Sequence, residues 1–279
     1  MTDTPLDLDA YRRRIGFDGD ATPTLATLAR LIERHAATIA FENIEVLAGR
    51  VPDLGREALE RKMVQGSRGG YCYEQNTLFH AVLRAIGFDV AALEARVRHG
   101  VPADVVTGRT HMALRVRIDG VDYLADVGFG GLAPTTPVRL DDESLTTDRV
   151  GAYRIVAADQ DRLLQLVHGS ESTDCYRIVA SRPEHRDHEL GNWFVATHPG
   201  SMLGRNLLAG IATAAGRLTL FNRKLTLRTR DDTQETTLRS RAEFARVLAD
   251  DFGLALGDAD LDAVMQAVGR HDAEPVGAA

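Results

Sequence analysis

The segment His111-Met-Ala-Leu-Arg-Val-Arg-Ile-Asp-Gly-Val-Asp-Tyr-Leu-Ala-Asp-Val127 decides how the middle of this chain folds. Met112, Leu114, Val116 and Ile118 recur at every second position, the period of a strand with an apolar face. Asp119-Gly120 then supplies the two residues of a tight hairpin, because a type I′ turn needs positive φ at both positions. If Ile118 pairs with Val121, Asp126 falls opposite Ala113 and diagonal to His111, on the face away from the apolar row. Register alone therefore brings an imidazole to a carboxylate. A three-residue loop or a bulge would shift the pairing by one and send Asp126 to the apolar face.

Strand signals continue on both sides. Ala92–Val97, Tyr153–Val156, Arg162–Val167 and Tyr176–Ala180 alternate, so the stretch from about Phe88 to Pro199 is expected to roll into a barrel. Ahead of it the period is helical. Thr22-Pro23 reads as the cap and first-turn proline of a helix carrying Leu25, Leu28, Leu31 and Ile32. Leu59, Met63 and Val64 mark a second helix, which the Gly66–Gly70 segment breaks. Gln75, Leu78, Phe79, Val82, Leu83 and Ile86 line a third, which starts near Cys72 and ends at Gly87. Toward the C-terminus, Leu218–Leu227 reads as a hairpin around Asn222-Arg223. Ser240-Arg-Ala-Glu243 is a capping box opening a helix through Leu248, and Leu261–Val268 is a short last helix with a frayed tail after Gly269. The class is α+β in three units: a helical bundle over 1–88, a β-barrel over 89–199 and a mixed α/β unit over 200–279.

The third helix has chemical content. Ser67-Arg-Gly-Gly-Tyr-Cys-Tyr-Glu-Gln-Asn76 places two glycines in an approach turn and a cysteine in the first helical turn. Free N–H groups and the helix dipole stabilise a thiolate there and make it available near neutral pH. On position alone, a small buried hydrophobe is an equally good reading of Cys72. Cys175, in a strand-like run, reads as inert core. A nucleophilic thiol needs a base and an orienter, and of nine histidines His111 is the one whose register supplies a carboxylate, Asp126. His185-Arg-Asp-His188 lacks the further Cys or His of a zinc set, so it reads as a solvated loop and no metal site is expected.

Composition narrows the class further. A length of 279 residues suits about two domains. With 44% hydrophobic and 26% charged residues, the chain has ordinary globular usage and not that of a disordered one. Lys+Arg total 33 against 40 Asp+Glu, a net charge of -7, which argues against a phosphate-tracking protein. Met1–Asp9 has acids where a signal peptide would be basic, and no apolar run reaches the ~20 residues of a membrane span. Two cysteines make no disulfide framework. A soluble, cytoplasmic protein is expected, with no nucleic-acid or membrane partner and no obligate protein partner.

Arg68-Gly-Gly-Tyr-Cys-Tyr-Glu-Gln-Asn76, Thr110-His111 and Asp126-Val-Gly-Phe-Gly-Gly131 resemble the three signature blocks of the arylamine N-acetyltransferases. Tyr11-Arg-Arg-Arg-Ile-Gly16, Phe41-Glu42-Asn43 and Asn192-Trp-Phe-Val-Ala-Thr-His-Pro-Gly-Ser201 are similar to that family as well. The resemblance implies a papain-like cysteine-transferase fold with an N-terminal helical bundle, a central β-barrel and a C-terminal α/β lid. It implies an acetyl-CoA-dependent transfer of acetyl groups to arylamines and arylhydrazines by a ping-pong route through an acyl-cysteine. Cys72 would be the nucleophile, His111 its proton partner and Asp126 the orienting carboxylate. Acetyl-CoA would enter as co-substrate, with no bound cofactor, and the other partner would be a small arylamine or hydrazine. By the same resemblance, Phe41 and Phe129 line the acceptor pocket, Thr107-Gly108 lies near coenzyme A, and Gly130 and Gly131 contact substrate or coenzyme. Arg68 and Glu42 match a structural ion pair, and Leu203 stands where an aromatic is common. The same triad leaves open an amide synthase acting on carrier-bound substrates, a thiol hydrolase, and a silent binding module on this scaffold.

Overall fold

Helix α1 (Leu8–Arg14) opens the chain in the computed structural model, which describes residues 6–149 and 151–273. The Asp7 carboxylate caps it by accepting from the Ala10 N–H at 2.8 Å. Helix α2 (Leu25–Thr38) is capped by Thr24, whose hydroxyl accepts from the Thr27 N–H at 3.2 Å. Its cap is thus two residues later than Thr22, and Pro23 lies outside the helix. Leu28, Leu31 and Ile32 are buried as their spacing requires, while Leu25 in the first turn is exposed. Strand β1 (Phe41–Glu42), α3 (Ile44–Leu47) and α4 (Arg56–Leu59) follow. Helix α4 widens into a π-helical turn over Glu60–Gln65, which buries Met63 and Val64. Helix α5 (Cys72–Ile86) then crosses the layer and ends where Gly87 adopts φ 103°.

The central sheet comprises β2 (Asp89–Val97), β3 (His111–Ile118), β4 (Val121–Ala125), β5 (Val138–Arg139), β6 (Thr146–Thr147), β7 (Ala152–Ala158), β8 (Asp161–His168) and β9 (Glu171–Ile178). Their order is β5-β4-β3-β2-β9-β8-β7-β6, and β5 returns against β7, so the sheet is a nearly closed barrel. The β3–β4 turn has positive φ at Asp119 (50°) and Gly120 (79°), and Ile118 pairs with Val121 as the hairpin signal predicted. Met112, Leu114 and Val116 pack against the helical layer. Ala113, on the opposite face, joins a separate barrel core with Leu124, Tyr153, Leu164 and Tyr176. The side of β3 that carries His111 is therefore closed by the barrel, not by water. Strand alternation stops at Ile178, well short of Pro199, and α6 (His185–Thr197) takes over.

Helix α7 (Met202–Arg205) leads into a second sheet of β10 (Leu208–Ala212), β11 (Arg217–Phe221), β12 (Lys224–Arg228) and β13 (Thr233–Thr237). Strand β1 pairs with β10, so Phe41 and Glu42 form one edge of this C-terminal sheet. The β11–β12 turn sits at Asn222-Arg223 as expected, with Asn222 at φ 49°. Ser240 caps α8 (Arg241–Asp250) by accepting from the Glu243 N–H at 3.2 Å. The last helix, α9 (Asp258–Ala273), is longer than the expected Leu261–Val268 and continues through Gly269. Leu261, Val264, Ala267 and Val268 share a core with Phe244, Val247 and Leu248 of α8. The rest of the tail, 274–279, lies outside the described residues. No helix among the described residues is long and apolar enough to cross a membrane.

Candidate active site

The glycines of Arg68-Gly-Gly let two backbones touch. Gly70 donates to the Ala40 carbonyl at 3.3 Å, and the Glu42 N–H donates to the Gly70 carbonyl at 3.0 Å. A Cβ on Gly69 would lie 2.0 Å from the Ala40 oxygen, so no other residue fits. Arg68 forms the anticipated pair with Glu42 at 2.8 Å and also reaches Asp260 of α9 at 2.7 Å. Glu74 closes the start of α5 by accepting from the Tyr71 N–H at 3.1 Å, while Lys62 binds its other oxygen. Cys72, nearly buried, is the first residue of this anchored helix, and its sulfur lies 3.8 Å from the Thr110 carbonyl oxygen.

His111 opens β3 and Asp126 stands one residue past β4, so the hairpin register places them side by side. Asp126 Oδ2 accepts from His111 Nε2 at 2.7 Å and from the Tyr176 hydroxyl at 2.8 Å. Its Oδ1 accepts from Asn76 Nδ2 at 2.9 Å and from the Gly128 N–H at 2.8 Å. With Nε2 given to Asp126, Nδ1 is the nitrogen left for Cys72, whose thiol group acts electrostatically on this ring. Burial alone would push the imidazole down, but the charge and hydrogen bond of Asp126, reinforced by Cys72, raise it to about 10. Burial likewise pushes the Asp126 carboxyl up. The charge and hydrogen bond of His111, with the donors from Asn76 and Gly128, outweigh it and hold the group below the usual carboxylate range. At neutral pH the pair is an imidazolium beside a carboxylate, next to a thiol at a helix N-terminus. This arrangement suits nucleophilic acyl chemistry.

A protein-family profile described as N-acetyltransferase matches residues 24–261. The arylamine N-acetyltransferase of Mycolicibacterium smegmatis is 37% identical to this chain over 257 residues, covering 91% of this chain and 94% of that protein. The chain belongs to the arylamine N-acetyltransferase family. The Escherichia coli (strain K12) member is 35% identical, over 96% of this chain and 98% of its own length. The Mycobacterium marinum arylamine N-acetyltransferase structure matches with a TM-score of 0.90 and 34% identity, over 95% of this chain and 99% of that one. That protein has also been solved in complex with CoA. The family's α+β, papain-like architecture is therefore the architecture of this chain, and the chain is an acetyltransferase.

Other expected family positions fall in different places. The Phe129 ring packs on the His111 imidazole with centroids 4.9 Å apart, and Tyr176 covers the same ring at 4.6 Å. Phe41, Gly130 and Gly131 instead line a small cleft with Ile39, Val127 and Arg217. Thr107 and Gly108 lie on the loop leading into His111, where the Thr107 hydroxyl donates to the Val97 carbonyl at 2.9 Å and Arg96 holds the Thr107 carbonyl. Leu203 packs against the core that contains Phe41 and Cys72. Cys175 is buried in the barrel core, and burial pushes its thiol up to about 12, in keeping with an inert role.

The His185–His188 segment is not a solvated loop. It forms the opening turn of α6, and His188 is buried with its ring 6.1 Å from that of Tyr73. Asp187 accepts from the Glu184 N–H at 2.8 Å, so the acidic pair three apart was a readable helix start. Sequence reasoning assigned no role to Asn76, Gly128 or Tyr176. Asn76 could have been found, because it stands one helical turn after Cys72 on the same face. Gly128 is required because a Cβ there would lie 2.8 Å from the Cys72 Cα and 2.7 Å from Asn76 Nδ2. Tyr176 carries no local signal.

Proposed function

We propose that this acetyltransferase moves the acetyl group of acetyl-CoA to arylamines and arylhydrazines by a ping-pong route through acetyl-Cys72. The observation that carries the reading is the buried His111–Asp126 pair at the start of the Cys72 helix. The Cys72 thiolate attacks the thioester carbonyl, the carbon–sulfur bond to coenzyme A breaks, and the His111 imidazolium protonates the departing thiolate. An incoming amine then attacks acetyl-Cys72, the amide bond forms as the Cys72 thiolate leaves, and the now neutral His111 takes the amine proton. That restores the imidazolium and the thiolate. Asp126 holds the ring in one orientation and stabilises its charge in both half-reactions.

In this reading residues 1–88 carry the nucleophile, 89–199 the acid–base pair, and 200–279 the lid. Phe41 and Phe129 serve the acceptor ring, and Thr107, Gly108, Gly130 and Gly131 serve acceptor or coenzyme. The name shared by the relatives supports the acceptor class, and the CoA complex of the Mycobacterium marinum protein supports the donor. The test is stoichiometric acetyl-CoA without amine. Intact mass should rise by one acetyl group, peptide mapping should place it on Cys72 and not Cys175, and an added arylamine should discharge it. Intersecting double-reciprocal lines with no trappable acyl-enzyme would replace the two-step route by direct transfer. Continuous release of coenzyme A without amine would mark a hydrolase.

A further inference from the structure

Asn76 is fully buried one helical turn below Cys72, and its amide is engaged at both ends. Nδ2 donates to the Met112 carbonyl at 2.7 Å and to Asp126 Oδ1 at 2.9 Å, and Oδ1 accepts from the Val127 N–H at 3.2 Å. Its partners thus flank both His111 and Asp126, while its own backbone belongs to the helix that begins with Cys72. The residues around these groups pack into two hydrophobic cores. Cys72 and Met112 belong to the helical one, and Ala113 and Tyr176 to the barrel. Apolar packing is non-directional and does not by itself fix the offset between two cores to a fraction of an ångström. Hydrogen bonds are directional, and a single amide that joins α5, β3 and the loop after β4 does fix it.

We propose that Asn76 is a positioning residue: it sets the distance from Cys72 to the His111–Asp126 pair and, by donating to Asp126 Oδ1, keeps that carboxylate ionised. The proposal rests on Cys72, His111 and Asp126 being the reacting groups. The titratable groups around the carboxylate are His111 from β3, Tyr176 and Cys175 from β9, and Cys72 through the imidazole from α5. Among the described residues, Asn76 is the one neutral side-chain amide that donates to it. A purely structural amide would affect stability, whereas this one should also move the acid limb of the pH profile.

The experiment compares Asn76→Asp and Asn76→Ser with Cys72→Ser as control, following coenzyme A release in single turnover across pH. Asn76→Asp replaces a donor to Oδ1 with a second carboxylate, so the Asp126 carboxyl rises and the acid limb should move up by about one pH unit or more. Its acetylation rate near pH 7 should fall on the order of a hundredfold. Asn76→Ser should fall by about tenfold with a smaller upward shift, and KM for acetyl-CoA should stay within about twofold, because a buried residue does not touch the donor. Near-UV circular dichroism identifies folded variants, and Asn76→Ser decides alone if Asn76→Asp does not fold. A folded variant with the wild-type acid limb overturns the proposal, as does a rise in KM at unchanged kcat. Retained acetylation by Cys72→Ser would instead overturn the assignment of the nucleophile, so the two failures are distinguishable.

Discussion

His35 in the helical layer and His111 in the barrel are equally sealed from water, at 0% and 2% exposure, and both rings are hydrogen-bonded. His35 hydrogen-bonds to neutral groups, the Tyr11 hydroxyl at Nδ1, 2.8 Å away, and the Gln75 amide oxygen at Nε2, and the Arg14 charge adds to the effect of burial. Burial pushes it down to about 4, so it is neutral at pH 7. His111 meets the Asp126 carboxylate and rises to about 10 despite the same burial. Gln75 and Asn76, adjacent on α5, serve the two networks separately, one supporting His35 and the other Asp126. Burial by itself therefore drives a histidine neutral. A charged partner reverses that, as Asp126 does for His111.

The strongest way to break the contrast is to give His111 a neutral partner. Asp126→Asn keeps the shape and removes the charge, so His111 should become a neutral histidine like His35. Cys72 should then be alkylated more slowly near neutral pH, and the acetylation rate should fall by roughly a hundredfold or more. Single-turnover coenzyme A release and a short iodoacetamide pulse measure both. A folded variant with normal rate and normal thiol reactivity would reduce Asp126 to a strand-end residue.

The pH dependence of stability sharpens the contrast, because the two signs are opposite. His35 in the fold lies below its ordinary value of 6.5, so the unfolded chain binds the proton more tightly. Its contribution is complete above about 6.5 and is lost as pH falls toward 4, by about 2 kcal/mol at pH 5. His111 lies above 6.5, so its contribution is complete below that value and is lost as pH rises through about 10. Urea unfolding of wild type and His35→Gln at about pH 7.5 and 5 isolates the first effect. The stability gap between them should change by about 2 kcal/mol in favour of the variant at the lower pH. Parallel behaviour at both pH values would show that His35 binds its proton equally tightly in the folded and unfolded chain. The smallest effect belongs to Tyr176→Phe, which removes one of four donors to Asp126 and keeps the ring against His111. Its acetylation rate should fall several-fold, to about tenfold at most. A loss as large as that of Asp126→Asn would make the hydroxyl the main support of the carboxylate.

Much of the site was legible because its geometry is local. The Asp119-Gly120 turn, the alternation of β3 and the one-residue reach past β4 fix His111 beside Asp126 through backbone sterics and pleat alone. The start of α5 was legible for the same reason, since capping and glycine conformation act within a few residues. Two readings failed. Helix α9 runs past its apolar stretch at both ends, and the His185–His188 segment is the start of α6, where His188 is buried against Tyr73.

The sequence by itself determined the hairpin register and the placement of a cysteine at a helix N-terminus, both consequences of short-range conformational preference. Only the tertiary structure decided that Cys72 meets His111, because the two stand on different elements that are packed together by apolar contacts. It also decided that Tyr176, from a strand two places away from β3 in the sheet, completes the shell around Asp126. It decided the charges of His35 and His111 as well. A residue's protonation follows from which groups reach it through space, and no local pattern encodes that.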